Sequence, residues 1–183
     1  MTDRICAALN ERLPYADAMQ QTRRLLDDLL LGTPPVIRHL TAHLAASQGK
    51  MLRAAAVLIC ACSTDRLVPA GSVQMAAAIE LVHLASLVHD DVIDEADLRR
   101  GKPTLRKIAG NKAAVICGDY LLSQGIRLAA SLPDRGKYLN LSFQDHLSSL
   151  CLGELNQLAN NNNYNLSPLQ YFRIIRSEER RVG

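Results

Sequence analysis

The sequence predicts an all-α fold. Three observations lead there. The 183-residue chain is 48% hydrophobic but only 4% aromatic, with no Trp and many Ala and Leu, a balance that favours helix over sheet. Its apolar residues recur at helical spacing, as Leu25, Leu26, Leu29 and Leu30 do. One long stretch, with Leu81, Val82, Leu84, Ala85, Leu87, Val88, Val92 and Ile93, is apolar almost all round, which is the pattern of a buried helix.

The bulk numbers restrict the function classes. The length fits one domain or part of one. A net charge of +3 without a long basic run gives no support for nucleic-acid binding. The five cysteines are odd in number, and Cys60-Ala61-Cys62 is not a CxxC pair. They read as buried free thiols in a reducing, cytoplasmic setting. The N-terminus lacks the apolar core of a secretory signal, and no run of about 18 apolar residues predicts a membrane span.

In chain order, residues 4–31 read as helix, interrupted at Pro14 and ended by Gly32 and Pro34-Pro35. A second helix, 35–47, carries Val36, Ile37, Leu40 and Leu44 at helical spacing. His39 and His43 are i,i+4 on it, but no third ligand stands nearby, so they read as surface or capping histidines. Gly49 closes this helix and Lys50 opens the next. There Lys50 and Arg53 project together near free N–H groups that favour an anion. Taken alone they read as two snorkelling surface cations. Residues 64–71 form a loop, and Ser72 is placed to cap a helix over 73–95. Residues 101–104 make a turn and 105–110 a short connection. Asn111 then caps a helix over 112–131, which holds Gly118, a buried Asp119 and Tyr120. Residues 134–159 read as helix, Asn160 to Asn163 as loop, and Ser167-Pro168 opens a last helix before the charged tail SEERRVG.

The chemistry concentrates at the end of helix 73–95. Asp90, Asp91, Asp94, Glu95 and Asp97 crowd a C-terminus where the helix dipole disfavours negative charge, so a cation is called for. Asp90 and Asp94 lie about 40° apart around the helix, one turn removed, with His83 on nearly the same stripe. Mg²⁺ takes one or two protein carboxylates and completes its shell with water and phosphate. Arg99, Arg100 and Lys102 follow, donors suited to phosphate oxygens. The carboxylate pair alone reads equally well as a solvated acidic helix end before a basic turn.

The whole string is more specific. DDxxD, then RRGxPT, with His83 seven residues before Asp90, resembles the first aspartate-rich motif of trans-polyprenyl diphosphate synthases. Lys50 and Arg53 match the GKRxRP motif of that family, with Met51 and Ala54 in place of its usual arginine and proline. Gly118 to Leu122 reproduce the GDYLL signature, and Gly153, Glu154 and Gln157 the GExxQ element. Tyr171, Ile174 and Ile175 fit the next motif, but Glu178 stands where its lysine belongs, and the second aspartate-rich motif is absent. The resemblance covers residues 20–177 and the N-terminal half to two-thirds of a full synthase.

It implies the N-terminal part of the all-α isoprenoid synthase bundle over 1–177, with 178–183 as a tail of foreign or truncated character. It implies head-to-tail prenyl transfer, in which isopentenyl diphosphate condenses with an allylic diphosphate to give a medium- or long-chain polyprenyl diphosphate. Mg²⁺ on Asp90 and Asp94, with Arg99, would serve the allylic diphosphate. Lys50, Arg53, His83 and Arg100 would hold isopentenyl diphosphate. Ala85 and Ser86, both small, occupy the family's product-length positions and imply an open tunnel and products longer than farnesyl. The family implies a homodimer. Two other readings are a non-catalytic fragment or partner subunit, which the missing motifs favour, and a terpene cyclase, against which Lys50, Arg53 and His83 argue. The 183-residue chain by itself is expected to be inactive.

Overall fold

The all-α expectation holds. The computed structural model describes residues 12–47, 49–132, 143–160, 163 and 165–172, and among these the strands are only two or three residues long. The chain divides into two units, residues 1–133 and 134–183.

Among the described residues the first unit begins with a short strand, β1 (Arg12–Pro14), where helix was expected; residues 4–11 of that expected helix lie outside the described residues. Pro14 sets an extended backbone, φ −54° and ψ 143°, and helix α1 (Tyr15–Leu31) begins directly after it. Gly32 ends α1, and Pro35 at the first position starts α2 (Pro35–Ala45), where its missing N–H is no loss. The next helix, α3 (Leu52–Ala61), starts two residues later than expected: Met51 is left-handed at φ 53°, so Lys50 precedes the helix instead of opening it. The expected 64–71 loop contains β2 (Leu67–Pro69), which pairs antiparallel with β1 in the register Leu13↔Val68.

Helix α4 (Gly71–Ile93) is the core helix. It begins at Gly71, so Ser72 lies inside it, nearly buried, and does not cap it. By length and composition α4 could cross a membrane, and burial of Val73, Ala77, Leu81, Ala85 and Val88 inside the unit accounts for the same apolarity. Then come a hairpin, β3 (Leu98–Arg99) with β4 (Lys102–Pro103), and a short helix α5 (Leu105–Ala109) where a mere connection was expected. Thr104 caps α5, its hydroxyl accepting from the Lys107 N–H at 3.3 Å. Helix α6 (Asn111–Ala130) follows, with Gly110 rather than Asn111 in the capping position.

Helices α4 and α6 meet along a seam of small residues. Gly118 and Gly125, seven apart, face α4; a Cβ on Gly125 would press on Val82 and the Ala78 carbonyl, and one on Gly118 on the His89 ring. Leu30, Leu58, Leu81, Leu105 and Leu121 are fully buried in the surrounding core, each worth about 1.5–3 kcal/mol of transfer free energy.

The thiols depart from expectation. Cys117 is buried, but Cys60 and Cys151 are exposed and Cys62 is half-buried. Cys60 and Cys151 lie on outward helix faces and Cys62 just past the end of α3, because apolar character alone does not choose the face. Cys6 is outside the described residues.

In the second unit, helix α7 (Phe143–Ala159) carries Gly153, buried, and Gln157, exposed. Residues 168–172 are helical and Ser167 caps them as expected: its hydroxyl accepts from the Gln170 N–H at 3.3 Å while Gln170 Oε1 accepts from the Ser167 N–H at 2.9 Å, a reciprocal capping box. The Glu154 side chain, Ile174, Ile175 and the tail 178–183 fall outside the described residues.

Candidate functional site

Three pieces of chain assemble the site: the α2–α3 connection, one stripe of α4, and the β3–β4 hairpin. They enclose a cleft of about 510 Å³. Leu84, Leu87 and Val88 of α4 give it an apolar floor, and Lys50, Arg53, Arg99, Arg100 and Lys102 bring cations to its rim. His43 and His83 also line it, with Glu80 and Asp91 as its carboxylates.

The hairpin explains the arginines. Its two-residue turn is Arg100-Gly101, with φ of 53° and 77°. Positive φ at both central residues is what a type I′ turn requires. Gly101 supplies this freely, and Arg100 is held there because its guanidinium lies over Gly49, in the space a Cβ would take. Lys102 donates to the Ala46 carbonyl, and His43 Nε2 donates to the Pro103 carbonyl at 2.8 Å, both fastening the hairpin to the end of α2. His43 therefore has a capping role across elements. Among the described residues no group of three or more His, Cys, Asp or Glu is arranged to hold a metal.

On the opposite wall, Arg53 Nη1 donates to His83 Nε2 at 2.9 Å. Arginine only donates, so Nε2 is the acceptor and the imidazole proton resides on Nδ1. One residue on, the Ala54 N–H donates to Glu80 Oε1 at 2.9 Å. This corrects the expectation that the α3 N-terminus keeps its amides for an external anion: a carboxylate of the protein takes one of them.

The acidic cluster splits by face. Asp91 is 6% exposed and turned inward, where it accepts from Arg99 Nε at 2.8 Å. Burial pushes its carboxyl above the ordinary range, and the Arg99 hydrogen bond pulls it only part of the way back. Asp90 is half-buried and Asp94 exposed, and neither lines the cleft. The helix end closes as a Schellman motif: Glu95 N–H to the Val92 carbonyl at 3.3 Å, Ala96 N–H to the Asp91 carbonyl at 3.0 Å, and Glu95 left-handed at φ 50°. Beyond it Asp97 accepts from Lys107 at 2.9 Å and Arg106 at 2.7 Å, which hold its carboxyl below the usual range. Hard carboxylate oxygens from two residues suit Mg²⁺, which asks for no more from a protein, so Asp90 and Asp94 fit that ion. Of the two positions expected to bear on product length, Ala85 is 1% exposed, and Ser86 is half-buried with its hydroxyl donating to the His83 carbonyl at 2.8 Å. Asp119 is exposed rather than buried, and its carboxylate lies 3.3 Å from His89 Nε2.

The sequence profile of the family described as "Polyprenyl synthetase" matches residues 34–178. The chain belongs to the polyprenyl synthetase family. It is 33% identical to octaprenyl diphosphate synthase of Haemophilus influenzae over 164 residues, which cover 90% of this chain and 49% of that protein. It is 31% identical to heptaprenyl diphosphate synthase component 2 of Bacillus subtilis, covering 87% and 45%. Among solved structures it superposes on heptaprenyl diphosphate synthase from Staphylococcus aureus with a TM-score of 0.77 and 29% identity, covering 91% of this chain and 52% of that one. It also superposes on a polyprenyl synthase from Caulobacter crescentus, complexed with calcium and isoprenyl diphosphate, with a TM-score of 0.73 and 31% identity, covering 88% and 48%. The chain spans about half the length of the curated relatives it matches.

Within this polyprenyl synthetase chain, Lys50, Arg53, His83, Arg99 and Arg100 line one cleft, where spacing alone had read Lys50 and Arg53 as surface cations, and Asp90 and Asp94 lie outside it. Sequence reasoning missed Glu80 and the inward Asp91. The signal for Asp91 was present: Leu81, Ala85, Val88 and Asp91 follow one buried helical stripe.

Proposed function

We propose that this chain supplies the isopentenyl-diphosphate cleft and the first metal-binding face of a medium- or long-chain polyprenyl diphosphate synthase. The observation that carries the reading is the single cleft joining five side-chain cations to an apolar floor. A diphosphate headgroup with a short hydrocarbon tail matches that combination.

Lys50, Arg53 and Arg100 hold the diphosphate of isopentenyl diphosphate, with His83 sharing the Arg53 guanidinium. The apolar floor of Leu84, Leu87 and Val88 lies beneath its hydrocarbon. Asp90 and Asp94 are the carboxylates for Mg²⁺, which when bound supplies positive charge to the departing allylic diphosphate. Arg99 supports that diphosphate from the cleft side while Asp91 fixes its guanidinium. The allylic C–O bond breaks with its electron pair going to diphosphate. The isopentenyl double bond forms the new C–C bond, and a proton leaves the adjacent carbon. The contribution of the protein is positioning and electrostatics in a water-poor site. Assembly as a homodimer belongs to the same reading and is checked by light scattering. A partner subunit without turnover is a second reading, kept because Glu178 stands where the family motif has its lysine.

The test is a calorimetric titration of isopentenyl diphosphate into wild type and Lys50→Ala, followed by incorporation of labelled isopentenyl diphosphate with Mg²⁺. Binding lost in Lys50→Ala supports the cleft assignment. Equal affinity in the two proteins sinks it. Binding without turnover favours the partner-subunit reading.

A further inference from the structure

The cleft contains a carboxylate where an anion site should least want one. Glu80 stands one turn before His83 on α4, and its Oε1 accepts from the Ala54 N–H at 2.9 Å. Ala54 sits in the first turn of α3, whose capping position is Met51, left-handed and without a side-chain cap. Helix N-termini leave their first amides unsatisfied unless a side chain or ligand meets them. Here the cap comes from another helix. Directly before Ala54 is Arg53, whose guanidinium reaches His83 at 2.9 Å. Helices α3 and α4 are thus joined by two adjacent rungs, Ala54–Glu80 through the backbone and Arg53–His83 through the side chain.

We propose that Glu80 is a positioning residue of the diphosphate cleft, capping α3 from α4 so that Arg53 is delivered to the anion in a fixed orientation; this rests on the cleft reading above. The carboxylate costs the site one unit of favourable charge. In return it fills the α3 N-terminus with a group that stays in place, so the bound diphosphate meets side-chain cations instead of competing for the helix amides. An exposed arginine retains many rotamers. Fixing its backbone against α4 and its tip against His83 removes much of that freedom before the ligand arrives, and preorganisation of this kind raises affinity.

The proposal separates reach from charge. Glu80→Gln removes the charge but keeps an acceptor oxygen at the same reach. Glu80→Asp keeps the charge but is one methylene too short for the Ala54 N–H. Glu80→Ala removes both. Inorganic diphosphate titrated calorimetrically into the full 183-residue chain at fixed ionic strength gives the affinities, and hydrogen exchange at the Ala54 amide reads the cap whatever the cleft binds. The expected result is wild-type or tighter binding in Glu80→Gln, and binding about fivefold to tenfold weaker in Glu80→Asp and Glu80→Ala, the loss equivalent to one hydrogen bond, with faster Ala54 exchange in those two. If Glu80 were only a bystander charge, Glu80→Ala would bind tighter than wild type and Glu80→Asp would match it; either result overturns the proposal, as does unchanged Ala54 exchange in Glu80→Ala. A wild-type chain that binds no diphosphate overturns the cleft reading itself, and the positioning role with it.

Discussion

Arg99 Nε donates to Asp91 Oδ1 over 2.8 Å, and the carboxylate that receives it is the inward member of an otherwise outward acidic cluster. The pair closes the β3–β4 hairpin onto α4. Because burial raises the Asp91 carboxyl more than Arg99 lowers it, the native state holds this proton more tightly than the unfolded chain, whose reference is 3.8. Its contribution to stability is therefore complete below that value and is lost as pH rises through the native one. Asp91→Asn keeps an acceptor for Arg99 and should remove this slope. Urea titrations at closely spaced pH values above 3.8 in both proteins provide the check, and parallel curves would refute it. Asp91→Ala, which strands Arg99, should cost about 1–3 kcal/mol at neutral pH.

Cys117 offers a second titration of the same sign. Burial pushes its thiol from 9.0 up to about 11. Between those values the unfolded thiol ionises and the native one does not, so the native state binds more protons and stability falls as pH rises across the interval. Cys117→Ala should flatten that fall. At pH 8, iodoacetamide should label exposed Cys60 readily and Cys117 only on unfolding, because the thiolate is the reactive form. Equal labelling rates at the two positions would contradict the burial.

The Schellman motif at the end of α4 uses Glu95 at φ 50° where glycine is usual. A left-handed conformation costs an ordinary residue about 1–2 kcal/mol, against about 0.5–1 kcal/mol for the extra freedom of glycine in the unfolded chain. Glu95→Gly should therefore stabilise the protein by about 0.5–1 kcal/mol, since the exposed Glu95 loses only a 4.0 Å approach to Arg106. A lower melting temperature in the variant would show that the Arg106 contact matters more than the backbone.

On the proposed reading, and in a chain completed to the full length of its relatives, Ala85 and Ser86 differ as places to obstruct a growing prenyl tail. Ala85 is 1% exposed within the core, so Ala85→Phe should cost about 1–3 kcal/mol through overpacking as well as shortening products. Ser86 is half-buried, and its side chain folds back on its own helix, so Ser86→Phe should shorten products at a smaller cost. Chain-length analysis of the prenyl products reads the one effect and thermal melts the other. Unchanged lengths in both variants would send the tail along another path.

The sequence was most legible where spacing alone decides geometry. The stripe holding His83 and the carboxylate pair one turn apart follow from helical periodicity, while the grouping of Lys50 and Arg53 with His83 and Arg100 came only from the family resemblance. What escaped was set by backbone dihedrals and by contacts between distant segments. Nothing local announces that Met51 turns left-handed and delays α3, that Arg100 shares a hairpin turn with Gly101, or that β1 pairs with β2 at a separation of 55 residues, Leu13 to Val68. Glu80 was passed over for a related reason: its partner is a main-chain amide on another helix, which no residue pattern marks. The cysteines were misjudged because apolar surroundings in sequence do not fix which way a side chain points.

On the proposed reading, one helical turn faces a different ligand on each of its two sides. The outer side carries Asp90 and Asp94; the inner side, through Asp91, grips an arginine that lines the cleft. A divalent cation on the outside and a diphosphate within would thus act on the same few backbone units. Their affinities are then linked, and the linkage is symmetric: by whatever factor the ion alters the hold on diphosphate, diphosphate alters the hold on the ion by the same factor. The Asp91–Arg99 contact is where that coupling free energy would reside, and a double-mutant cycle across it would measure the exchange in either direction.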